Sequence, residues 1–152
     1  MTIQNNLEKL KIVIPDAPEP VGAYVAYKTI GKLIYISGQL PIDAAGKMIK
    51  GKLGDDLSLE SGQAAAKLCV INILAQLKKA VNGDLNNVKN CVKITCFVNS
   101  SNDFIDQPKV INPASETLTA IFGEAGKHAR AAVGVNSLPL GIAVEIDAIF
   151  EI

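Results

Sequence analysis

The chain contains no tryptophan, a single histidine, three cysteines and only 5% aromatic residues. With His128 as the lone imidazole, no zinc site of the usual kinds can be assembled. A serine triad would have to rest on that one residue, and no GxSxG elbow is present. Cys91 and Cys96 lie on one expected strand, five positions apart, which sends them to opposite faces. Cys69 falls in an apolar helical stretch. All three read as small buried hydrophobes of a reducing compartment. No metal and no cofactor is expected.

An excess of either charge is missing too. Lys+Arg and Asp+Glu are both 15, so the net charge is zero. That balance gives no electrostatic footprint for nucleic acid and no polybasic membrane patch. No apolar run is long enough to span a bilayer, and the polar start MTIQNNLEKLK is no signal peptide. The expectation is a cytoplasmic protein with neither membrane nor nucleic-acid partners. GxGxxG after a strand and the Walker loop are absent as well.

What remains is 152 residues, 49% hydrophobic and 20% charged, enough for one domain with a proper core. A mean hydropathy of +0.26 at zero net charge is apolar for a small monomer and points to an oligomer. Residues 1–16 read as an N-terminal extension; 1–11 form a short polar helix or arm, and a proline-rich connection through Pro15, Pro18 and Pro20 follows. Strands are predicted over 22–29 and 32–38, and 43–57 is a glycine-rich loop. Ser58 caps a helix whose stripe is Ala66, Val70, Ile73, Leu74, Leu77 and Val81, and Asn82-Gly83 stops it. A strand follows at 90–99, with Val92, Ile94, Cys96 and Val98 on one face. Asn112-Pro113 then opens a second helix, with Asn112 as its cap.

Residues 127–152 read as two paired strands around a Pro139–Gly141 turn. Ile142, Val144, Ile146, Ala148 and Phe150 alternate with Glu145 and Asp147, the pattern of a half-buried strand. Pairing the apolar sets of the two strands puts Arg130 on one sheet face with Glu145 and Asp147, beside the small residues Ala132 and Gly134. Such a cluster either binds a small carboxylate or pairs internally on a solvated face. His128 precedes Arg130 by two and either joins this site or marks the entrance of the strand. The element order predicts an α+β fold: a largely antiparallel sheet with two helices on one face.

The motifs GAYV (22–25), SGQLP (37–41), NDF (102–104), VIN (110–112) and ARAAV…LPLGIAVEIDAI (129–149) stand in an order that resembles the reactive intermediate deaminase (RidA, or YjgF) family. The resemblance runs from about Ala17 to Ile152. It implies a chorismate mutase-like fold and a homotrimer with ligand clefts between subunits. The implied activity is hydrolysis of enamines and imines to 2-oxo acids and ammonia, without a cofactor. Matched by motif, Arg130 clamps the substrate carboxylate and Glu145 is associated with the attacking water. Tyr24, Ser37, Gly38, Asn112 and Ala132 line the cleft.

The chain departs from the family pattern at four places. Ala132 stands where a cysteine is usual, Ala131 for a serine, Ala23 for a proline and Ser115 for an aromatic. These features resemble a longer branch of the family. The alternative readings are a trimer that senses a small carboxylate without turnover and, disfavoured by the charge balance, a ribonuclease or translation inhibitor.

Overall fold

In the computed structural model, which describes residues 2–152, the first long helix begins where the sequence places it. Ser58 is extended, and its side chain accepts a hydrogen bond from the Ser61 N–H at the start of α2 (Leu59–Ala80). Glu60 in the first turn and Lys78 and Lys79 in the last complement the helix dipole. The expected stripe, Ala66 to Val81, is buried throughout. The helix ends as Asn82 and Gly83 take positive φ and the Gly83 N–H bonds the Lys78 carbonyl at 2.8 Å.

The second long helix starts earlier than expected. It runs Gln107–Phe122 (α3), with Pro108 in its first turn and Pro113 inside it, so Asn112 is no cap. An internal proline leaves the carbonyl four residues back without its N–H. Here that carbonyl belongs to Lys109, and Gln63 Nε2 on α2 donates to it at 2.9 Å. The helix tolerates Pro113 because a neighbouring side chain replaces the lost donor.

The sheet comprises β1 (Tyr27–Ile30), β2 (Leu33–Gln39), β3 (Asn90–Asn99), β4 (Ala129–Val135) and β5 (Val144–Glu151), ordered β1-β2-β5-β3-β4. All pairs are antiparallel except β3 with β4. The expected pairing of the last two strands is therefore overturned. Helix α3 makes β3-α3-β4 a crossover unit, which lays β4 parallel to β3 at the sheet edge. Strand β5 takes the centre, where Val144, Ile146, Ala148 and Phe150 are all buried. Both helices cover the face that carries these side chains, which is the expected α+β architecture.

Two local expectations are corrected. The first strand is confined to Tyr27–Ile30. In β3 the register shifts between Cys91 and Lys93. That bulge turns Cys91 into the core and leaves Val92 exposed, so Cys91 and Cys96 are both buried and not on opposite faces. The loop 43–57 is tied to the sheet by bridges from Lys50 to Ile142 and from Leu53 to Ser100, with Leu53 fully buried. At the N-terminus, α1 (Ile3–Lys9) rests on α3: Leu7 is buried, and Asn6 Nδ2 donates to the Ile121 carbonyl at 2.8 Å.

Candidate functional site

The parallel register sets Arg130 opposite Ile94 and Ala132 opposite Cys96. Opposite residues share a face, and Ile94 and Cys96 are fully buried beneath the helices. Arg130 thus lies on the helix side, whereas Glu145 and Asp147, opposite Phe97 and Thr95, lie on the other side. The expectation that one face holds all three is overturned, because it assumed that β4 pairs with β5. An arginine is tolerated on the helix side because β4 is an edge strand and the side chain reaches out along α3.

Around Arg130 every partner is neutral. Its Nη1 donates to Asn112 Oδ1 at 3.0 Å and to Ser115 Oγ at 3.2 Å. Asn112 and Ser115 are one helical turn apart, on the flank of α3 that overhangs β4. Ser115 Oγ lies 2.9 Å from His128 Nε2, and His128 Nδ1 donates to the Gly126 carbonyl at 2.6 Å. A Cβ on Gly126 would come within 2.3 Å of the Leu118 carbonyl oxygen, so glycine is what lets this turn lie against α3. Among the described residues no carboxylate pairs with Arg130. The reading in which it serves Glu145 or Asp147 as an internal ion pair is excluded within one chain.

The second cluster sits on the opposite face of the sheet. Glu145 leans over β2, where the absence of a Cβ at Gly38 makes room for its carboxylate. Burial pushes the Glu145 pKa above its usual value, and the neighbouring Asp147 charge adds to this. Burial also raises Asp147, against the opposing pull of Thr95 and Lys93. Ser37 Oγ is already engaged, donating to the Ala26 carbonyl at 3.0 Å. The thiols are inert at neutral pH: burial pushes Cys91 and Cys96 up to about 12 and raises Cys69 as well. Among the described residues no group of three or more His, Cys, Asp or Glu is placed to hold a metal ion.

Residues 6–150 match the family model described as "YjgF/chorismate_mutase-like, putative endoribonuclease". The chain belongs to the YjgF family. Its relatives include Protein TCP17 of Trypanosoma cruzi, 45% identical over 97% of this chain and 92% of that protein. A 2-iminobutanoate/2-iminopropanoate deaminase of Salmonella typhimurium is 32% identical over 91% of this chain and 94% of that protein. The crystal structure of Atu1372 from Agrobacterium tumefaciens, described as of unknown function, superposes with a TM-score of 0.91 at 45% identity. It covers 99% of this chain and 94% of that one.

Within one copy of this YjgF chain the motif-matched residues fall into separate groups. Arg130, Asn112 and Ala132 sit on the helix side by the β4 edge, while Gly38 and Glu145 meet on the opposite face. Tyr24 is 52% exposed just before β1, at the far edge of the sheet from β4. Ser115 is the residue that sequence reading left out of the site. The usable signal was its i, i+3 spacing from Asn112, hidden while Asn112 was taken for a helix cap.

Proposed function

We propose that this protein hydrolyses reactive imines and enamines of 2-oxo acids, releasing ammonia, at clefts between the subunits of a homotrimer. The observation that carries the reading is the state of Arg130. Its two structural bonds both come from Nη1, which leaves the Nε–Nη2 edge of the guanidinium without a partner among the described residues. That edge presents two parallel N–H donors, the geometry that grips a carboxylate bidentately.

The substrate brings its own electrophile. In a 2-iminium acid the C2 carbon lies next to the carboxylate, so fixing the carboxylate fixes the reacting carbon. Water adds to C2 and loses a proton to Glu145. Glu145 returns that proton to the nitrogen of the resulting carbinolamine, which collapses to the ketone as ammonia leaves and takes up the hydroxyl proton, so iminium plus water becomes 2-oxo acid plus ammonium. A carboxylate with a raised pKa is better matched to that proton than an ordinary one. Because Arg130 and Glu145 occupy opposite faces of one sheet, the complete site takes Arg130 from one subunit and Glu145 from the next. Exposed Tyr35, Val92 and Val133 and the apolar composition favour such an assembly.

Zero net charge argues against a nucleic-acid substrate. The reading is tested by presenting freshly generated 2-iminobutyrate or 2-iminopropionate and following loss of the imine. Acceleration without added metal or cofactor supports it. Binding of 2-oxo acids with no acceleration would instead make the clefts a sensor.

A further inference from the structure

The N-terminal extension does more than rest on α3. With the end of α2 and the single turn Leu85–Asn87 it walls a hollow of about 610 Å³, larger than the 340 Å³ hollow beside Gly38 and Asp147. Small-molecule sites span roughly 300–1,000 Å³, so the size is sufficient. The floor is apolar: Leu7, Ile12 and Leu85 are each at least nine-tenths buried.

The way α1 ends builds this floor and one edge of the opening. The Lys11 N–H bonds the Glu8 carbonyl at 3.0 Å, and the Ile12 N–H bonds the Leu7 carbonyl at 2.9 Å. This is a Schellman ending, which turns Ile12 back into the same core cluster as Leu7. It holds Lys11 at φ +56°, the left-handed position that glycine usually takes because a Cβ is strained there. A charged side chain thus stands at the opening where glycine would cost less.

Four charged side chains line the hollow, and they are unequally occupied. Glu8 accepts from Gln4 Nε2 at 3.1 Å, and Asp84 accepts from the Asn86 N–H and Nδ2 at 3.0 and 2.9 Å. Among the described residues neither Lys11 nor Lys78 pairs with a carboxylate. The lining carries two charges of each sign, so preference for an anion comes from which groups are free. The free ones are ammonium donors.

We propose that this hollow binds an organic anion with an apolar body, the body on Leu7, Ile12 and Leu85 and the anionic group on Lys11 and Lys78. None of these residues belongs to the Arg130 or Glu145 clusters, so the site stands apart from imine hydrolysis. A short 2-oxo acid has too little apolar surface to use such a floor.

Calorimetry with 4-phenylbutyrate and butyrate separates the two halves of the claim. Butyrate is expected to bind about tenfold to a hundredfold more weakly, because it lacks the ring that the floor would bury. Lys11→Gly and Lys78→Gln are each expected to weaken 4-phenylbutyrate about threefold to fivefold. Lys11→Gly is also expected to melt no lower than the wild type, since glycine relieves the left-handed position; its weaker binding would then not be a folding defect. Arg130→Ala is expected to bind 4-phenylbutyrate as the wild type does. Loss of binding in Arg130→Ala with Lys11→Gly unaffected would place the ligand in the cleft and overturn the proposal. Equal affinity for the two acids, or no binding of 4-phenylbutyrate, would overturn it as well.

Discussion

Gly38 and Glu145 approach so closely that a Cβ on residue 38 would stand 2.2 Å from Glu145 Oε1. Gly38 is not among the glycines at positive φ, so the requirement here is space and not backbone freedom. The empty position lets the carboxylate lie over β2, half out of water and near Asp147, and these two conditions raise its pKa. A glycine and a glutamate from distant parts of the chain thus act as one feature.

Gly38→Ala should fold, because the added methyl meets the far end of a flexible side chain and not backbone. The carboxylate must move, and a displacement of about 1 Å can cost on the order of 100-fold in rate. Imine hydrolysis and circular dichroism on the same preparation check this. Unchanged kcat/KM would detach Glu145 from the chemistry.

Glu145 also makes stability depend on pH in a defined direction. A carboxyl with a folded-state pKa above its unfolded value binds its proton more readily when folded. Its stabilising effect is therefore present at acid pH and lost as pH rises through the folded pKa. Glu145→Gln should melt higher than the wild type at pH 7 while losing activity, and the difference should vanish toward pH 4. Melting curves at the two pH values decide it; a variant that melts lower at pH 7 would contradict the burial argument.

Arg130→Ala should cost about 2–4 kcal/mol of carboxylate binding, roughly 30-fold to 1000-fold in affinity. Arg130→Lys should recover only part of this, since an ammonium cannot grip two oxygens in one plane. Because Nη1 bonds only neutral groups, melting should change little. Calorimetry with 2-oxobutyrate and thermal melts on all three proteins check the pair of effects. Early melting with normal affinity would make Arg130 a structural residue.

Light scattering should report about three times the 16.0 kDa chain. Mixing inactive Arg130→Ala and Glu145→Gln proteins under subunit exchange should restore about a quarter of wild-type activity. Random assembly brings an intact arginine to an intact glutamate at about that fraction of interfaces. A stable monomer, or no recovery after proven exchange, would remove the site between subunits.

Sequence patterning revealed the elements of this fold but not their neighbours. Ser58, the α2 stripe and the Asn82-Gly83 stop are local signals, and each stands where the pattern put it. The pairing of β4 with β3 is set by the crossover of α3, which period-two alternation does not encode. That one error put Arg130 on the wrong face. The bulge that turns Cys91 inward and the Gln63 bond that lets Pro113 sit within α3 are likewise tertiary and leave no trace in periodicity. The motif-matched residues could be picked out in the sequence; their division between two faces could not.

The central claim is tested most directly by generating 2-iminobutyrate in the presence of wild-type protein and the Arg130→Ala variant, without metal or cofactor, and following 2-oxobutyrate and ammonia. The account predicts faster formation of both products with the wild type and a rate near the uncatalysed one with Arg130→Ala. Equal rates with wild type, variant and no protein would contradict it.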